Sequence, residues 1–168
     1  MEVGQEHLVQ AVAGTWTALV GTELTPLEEA PPVRAVQQVS AICQITGGWT
    51  GAVALGLPFM LAIVSAANML GRDPGTLLEE DVYDSFGEIA NVTAGMLKGR
   101  LRVECRMGLP TIFEGAAFSL AVPGAQLGGE AHWQAGRQTL TARLYVPKPR
   151  RMALSGMVVE RPSANPAA

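Results

Sequence analysis

Asp84, Glu88, Asn91 and Gly95 follow one another at spacings of four, three and four residues. In a helix turning by roughly 100° per residue, that spacing stacks all four along one face, with Gly87 beside it. Glu88 and Asn91 are three apart and therefore surface neighbours. An interior helix glycine costs about 1 kcal/mol relative to alanine, so two on or beside one face need a reason. Bare backbone lets another surface come close, leaving Glu88 and Asn91 to project from a shallow strip. The chemistry open to such a strip is docking through a pair of polar side chains. The plain alternative is the solvated side of an amphipathic helix. Spacing by itself leaves both readings open.

Other catalytic templates are absent. The chain has no Gly-x-x-x-x-Gly-Lys-Ser/Thr loop, no Gly-x-Gly-x-x-Gly and no Gly-x-Ser-x-Gly elbow. His7, His132, Cys43 and Cys105 are too far apart in sequence to make a zinc-type ligand set. His132, beside Trp133, reads as a surface or half-buried strand residue, and Lys148, Arg150 and Arg151 as a solvated basic tail. Twelve basic against fifteen acidic residues give a net charge of −3, which argues against a nucleic-acid partner. Two cysteines cannot build a disulfide framework, so a reducing, cytoplasmic setting is expected. Met1–Gln10 has no basic leader region, so no signal peptide is expected either.

The elements that must position the strip are punctuated clearly. The 168 residues amount to about one domain, expected over 1–147, with a proline-containing, partly ordered tail over 148–168. Ala35–Gly71 contains no Asp, Glu, Lys or Arg, and Gly51–Leu70 is long and apolar enough to raise a membrane span. Pro58 inside the run, Gly47, Gly48, Gly51 and Gly56, and the lack of a basic flank argue for buried strand and helix instead. Val33, Ala35, Val39, Ala41, Cys43 and Ile45 alternate with polar residues, predicting a strand over about 33–46. A glycine-rich turn, a strand over 52–57 and a helix over 59–70 capped by Gly71 follow. An earlier helix is predicted over 6–24, with a proline-rich loop from Thr25 to Pro32. Thr76 and Glu79 form a capping-box pattern for a helix over 77–99, with Val82, Phe86, Ile89, Thr93, Met96 and Leu97 as its buried stripe. Further strands are predicted over 100–107, 111–122, 130–135 and 138–147. The fold class expected is α+β, with helices packed on a largely antiparallel, mixed sheet.

The stretch Asp84-Ser85-Phe86-Gly87-Glu88-Ile89-Ala90-Asn91-Val92-Thr93-Ala94-Gly95 resembles the Glu-x-x-Asn helix of the CheX branch of the chemotaxis phosphatases, the family that includes CheC and FliY. Its context matches too: the Gly47–Gly51 turn, a helix ending Asn68-Met69-Leu70-Gly71, and Leu109-Pro110-Thr111 downstream. The resemblance covers about Val33 to Val146. Met96 departs from it, since the family often has a small polar residue after that glycine, and a second Glu-x-x-Asn is lacking in the first helix, as in one-site CheX.

The resemblance implies a phosphatase acting on the aspartyl-phosphate of a CheY-like response-regulator receiver domain. Asn91 and Glu88 would be its catalytic pair, with Asp84, Gly87 and Gly95 at the partner contact. Asparagine is no general base near neutral pH, but its amide can hold a water in line with phosphorus while Glu88 docks on a receiver lysine. Phosphoryl transfer needs mainly positioning and charge stabilisation. The receiver's own Mg²⁺ supplies the second, so no cofactor or metal is expected in this chain. A homodimer through sheet edges is also implied. Two alternatives stand beside this reading. One is a module of the same fold that binds a receiver or motor-switch component without hydrolysis. The other is a small-ligand domain with a pocket near Trp49.

Overall fold

The computed structural model describes residues 3–32, 36–115 and 121–149. Helix α1 (Gln5–Leu19) leads into a short strand β1 (Thr25–Leu27), and β2 (Gln38–Gly47) and β3 (Gly51–Pro58) form a hairpin. Helix α2 (Phe59–Leu70) and a 3-10 turn (Pro74–Thr76) precede the long helix α3 (Glu79–Lys98). Four strands complete the chain: β4 (Cys105–Met107), β5 (Thr111–Glu114), β6 (Ala125–Ala135) and β7 (Gln138–Pro147).

All strands join one sheet in the order β1-β6-β7-β3-β2-β4, with β5 also paired to β2. Every pairing among the described residues is antiparallel. The expected α+β fold is present, without a parallel pair in what is described. Period-two side chains divide the sheet into two faces. Val39, Ala41 and Cys43 of β2, Val53, Leu55 and Leu57 of β3, and Leu140, Ala142 and Leu144 of β7 enter the core. Trp133 joins them from β6, and the apolar sides of all three helices close over this layer. Ile42, Ala52, Ala125 and Tyr145 form a smaller cluster of their own.

The apolar run that could have crossed a membrane divides at Pro58, between β3 and α2. Gly71 ends α2 in the left-handed conformation at φ 62°, which glycine adopts without penalty. No helix among the described residues is long and apolar enough to cross a membrane.

Several expected boundaries move. Helix α1 stops at Leu19, short of 24, because Val20 and Gly21 both return hydrogen bonds to the Trp16 carbonyl and Gly21 turns at φ 71°. The expected loop after it contains β1, paired with β6 across Thr25–Gln134. Pro26 is tolerated there because β1 is an edge strand. The Thr76/Glu79 capping box is replaced: Thr76 Oγ1 donates to the Asp73 carbonyl, while the Leu78 N–H donates to Asp81 Oδ2 at 2.9 Å. The strand expected over 100–107 shrinks to β4, because Arg100 and Leu101 bond back to the Leu97 and Lys98 carbonyls and prolong the helical turn. Val33 and Ala35 of the first expected strand, 116–120 of the fourth, and 150–168 of the tail lie outside the described residues.

Candidate functional site

Helix α3 buries Val82, Phe86, Ile89, Ala90, Thr93, Ala94 and Leu97. Packing of that face fixes which side chains are left to point outward. Asp84 and Glu88 are exposed, and Asn91 and Gly95 are half-buried beside them. Among the described residues, the ion pairs are Arg72–Asp81 and those of Glu130 with His132 and Arg143; neither Asp84 nor Glu88 takes part. Met96, expected in the buried stripe, is exposed and leans on α1, accepting a hydrogen bond from Thr15 Oγ1 at 3.3 Å. It points away from the strip because it stands about 100° around the helix from Gly95.

The two glycines have a local reason that the sequence did not disclose. Gly87, Asn91 and Gly95 are four apart and form one ridge of α3, the spacing along which another element packs. A β-carbon at Gly87 would lie 3.5 Å from Pro110 Cγ and 3.8 Å from Ile112 Cδ1. One at Gly95 would lie 3.9 Å from both Cε and Sδ of Met107. Pro110 and the tip of the Met107 side chain therefore cover the ridge at Gly87 and Gly95, on either side of Asn91. Gly87 is buried beneath Pro110. Its missing side chain accommodates the chain's own Pro110.

Met107–Pro110 is itself pinned to the sheet. The Gly108 N–H donates to the Gln44 carbonyl at 2.9 Å, and the Cys43 thiol donates to the Gly108 carbonyl at 3.3 Å. Burial pushes the Cys43 thiol up, which keeps it protonated and able to donate. At the other end of the strip, the Tyr83 hydroxyl lies between the carboxylates of Glu79 and Glu114, tying α3 to β5. Burial and those two carboxylates push the Tyr83 phenol up, so it remains a donor. Neither the Met107–Pro110 seat nor the Tyr83 link was foreseen from sequence. The paired glycines four residues either side of Asn91 were the one available signal.

The described residues contain no group of three His, Cys, Asp or Glu side chains that could hold a metal. What the strip can do is hold a water through the Asn91 amide and meet a cation with Glu88. A second feature lies on the sheet face opposite the helices. It is a cavity of about 690 Å³ whose lining includes Ser40, Phe113, Glu130, His132, Thr141 and Arg143. Arg143 donates to both oxygens of Glu130, at 3.2 and 3.3 Å, and His132 Nδ1 lies 3.0 Å from Thr141 Oγ1. These polar groups satisfy one another. Trp49 does not line this cavity, so a ligand pocket near Trp49 finds no support in it.

A family model described as chemotaxis phosphatase CheX matches residues 39–130, more than half of the chain. The matched stretch runs from β2 into β6 and includes all of α3 and Met107–Pro110. No curated protein matches the chain. Among solved structures, the chemotaxis protein CheX from Vibrio vulnificus is similar with a TM-score of 0.68 and 20% identity, over 83% of this chain and 93% of that one. CheX from Desulfovibrio desulfuricans gives 0.65 and 19%, over 84% and 97%. A complex of CheX with CheY, BeF3 and Mg from Borrelia burgdorferi gives 0.66 and 14%, over 85% and 97%. At these identities the likeness is one of fold.

Proposed function

The chain belongs to the CheX family of chemotaxis phosphatases, and from that premise we propose that it hydrolyses the aspartyl-phosphate of a CheY-like receiver domain in the cytoplasm. The observation that carries this reading is the placement of Glu88 and Asn91 on one outward face of α3, with Asn91 held at a fixed point between two helix–segment contacts. Asn91 donates and accepts through its amide, which suits it to orient a water on the phosphorus. The water's oxygen bonds to phosphorus as the bond from phosphorus to the aspartate oxygen breaks. Inorganic phosphate and a free carboxylate result, with the displaced proton passing to phosphate or solvent. Positioning of this kind is most of what phosphoryl transfer asks of a protein. The receiver's Mg²⁺ would neutralise charge at the phosphoryl group; this chain's part is to hold the water and the register.

Glu88 pairs with a receiver lysine and sets the depth of docking. A neighbour of the same fold is a CheX bound to CheY, which supports a receiver as the partner class. The deciding experiment measures inorganic phosphate released from phosphorylated receivers of the same cell, with the parent protein and with Asn91→Ala. Acceleration by the parent and none by the variant supports the reading. If Asn91→Ala matches the parent on a confirmed receiver, the chain binds without catalysing through this residue, and the binding-module alternative replaces it.

A further inference from the structure

Leu109 is the most exposed large apolar side chain among the described residues, at 91%. A single exposed leucine is ordinary on a protein surface. The backbone that presents this one is not. Gly108, just before it, has both its N–H and its carbonyl hydrogen-bonded, to Gln44 and Cys43. Pro110, just after it, has a fixed φ and rests on Gly87. Met107 rests at Gly95. The chain is thus pinned on both sides of Leu109, and the helix accepts two interior glycines where that pinning occurs. Asn91 stands on the same helix ridge, between Gly87 and Gly95. Leu109 is therefore held out to solvent from a pinned backbone, between the two residues that cover the ridge on either side of Asn91.

We propose that Leu109 is a specificity-determining contact of this site, entering an apolar depression on the receiver beside its phosphorylated aspartate. The inference rests on the reading of Glu88 and Asn91 given above and adds the other flank of the contact. Around Asn91, one flank carries the acids Asp84 and Glu88, and the other carries Leu109 with the half-buried Met107 and Pro110. A matching receiver presents a cation on one side of its phosphoryl group and apolar surface on the other. Because that backbone is already pinned, little conformational freedom is lost when it docks.

The test uses the full chain and its phosphorylated receiver, with Leu109→Ser and Leu109→Met beside the parent. Two quantities are measured: dephosphorylation kinetics, and affinity for the receiver held active by beryllofluoride and Mg²⁺. Burying a leucine changes affinity by about tenfold or more. Leu109→Ser should therefore raise both KM and Kd about tenfold, with kcat within about twofold and the unfolding temperature unchanged. Leu109→Met should restore most of the loss. The inference is overturned if Leu109→Ser binds and turns over like the parent while Asn91→Ala loses turnover. It is overturned equally if Leu109→Ser lowers kcat at unchanged KM, since that marks a role in shaping the site. A parent protein that neither binds nor dephosphorylates any receiver of its cell overturns this inference together with the reading beneath it.

Discussion

Pro110 rests on Gly87: a β-carbon built on the glycine would lie 3.5 Å from Pro110 Cγ, an ordinary van der Waals distance. The contact is close enough to explain a small residue and open enough to admit one methyl. Helix propensity then decides the sign. Gly87→Ala should stabilise the protein by up to about 1 kcal/mol, because the glycine's excess backbone freedom is removed. For a chain of this size that is a rise of about 2–4 °C in unfolding temperature. Gly95→Ala should do the same, since its methyl would meet only Met107, at 3.9 Å. The two should differ in function. Gly87 is buried, so its variant keeps receiver affinity; Gly95 is partly open on the strip, so its variant loses affinity while gaining stability. Thermal unfolding and receiver binding for both variants check this. Destabilisation by Gly87→Ala would show that Pro110 cannot make room.

Glu88 and Asn91 should separate in kinetics. Asn91→Ala removes an interaction made mainly in the transition state, so kcat falls steeply while the receiver still binds. Glu88→Ala loses the docking charge and with it both affinity and turnover. Truncating one member of a buried interfacial charge pair costs about 2–5 kcal/mol, and a wet rim position less. Neither variant should unfold, because surface substitutions stay within about ±0.5 kcal/mol. Phe86→Ala, on the buried side of the same helix, should cost about 3–5 kcal/mol and lose activity only through unfolding. Denaturant titration alongside phosphate release distinguishes the three. An unfolded Asn91→Ala protein would contradict the assignment of that side chain to the outward face.

Asp84 is exposed one turn before Glu88 and should act at the rim of the contact. Rim charges mainly alter association rate and its salt dependence. Asp84→Asn should slow association modestly at low ionic strength, match the parent at high salt, and leave kcat nearly unchanged. Association rates across a salt series test this. A loss of turnover as deep as that of Asn91→Ala would place Asp84 in the chemistry instead.

What was legible in the sequence was whatever local rules decide. Pro58 and Gly71 bound α2 because a fixed φ and a left-handed cap act within a residue or two of themselves. The alternation Val39, Ala41, Cys43, Ile45 shows the face of β2 that enters the core, because the pleat repeats every second residue. The outward placement of Asp84 and Glu88 follows from helical period in the same way. The misread features depend on partners far along the chain. Arg100 to Arg106 alternates like a strand, yet only Cys105–Met107 finds edge positions on β2 to pair with. Thr25–Leu27 carries a proline and reads as loop, yet β6 is there to receive it. Gly87 looked bare because spacing along a helix says which residues share a face, and nothing about which segment covers them. Pro110, over twenty residues later, covers it.

His132 gives the fold a pH dependence whose sign can be worked out. Its ring lies on β6, with its side chain 11% exposed. Nδ1 is 3.0 Å from Thr141 Oγ1, and Nε2 is 3.4 Å from a Glu130 oxygen that Arg143 also approaches. Burial lowers the His132 pKa; the Glu130 charge works against this and the Arg143 charge adds to it. The near contact with Glu130 does not reverse the shift, because Arg143 already occupies that carboxylate. The folded ring is thus neutral where the unfolded ring, with a pKa near 6.5, begins to take up a proton. Across that window the unfolded state binds more protons, so stability rises with pH. The full stability is present above about pH 7 and is lost as pH falls through the unfolded value. The loss levels off once the lower, folded value is passed. Denaturant midpoints at pH 7.5 and 5.5 should therefore differ for the parent, with the lower midpoint at 5.5. His132→Gln keeps a hydrogen-bonding partner for Thr141 but cannot titrate, so the gap between the two midpoints should narrow. An undiminished gap in that variant would show that another group, and not His132, carries the acid sensitivity of the fold.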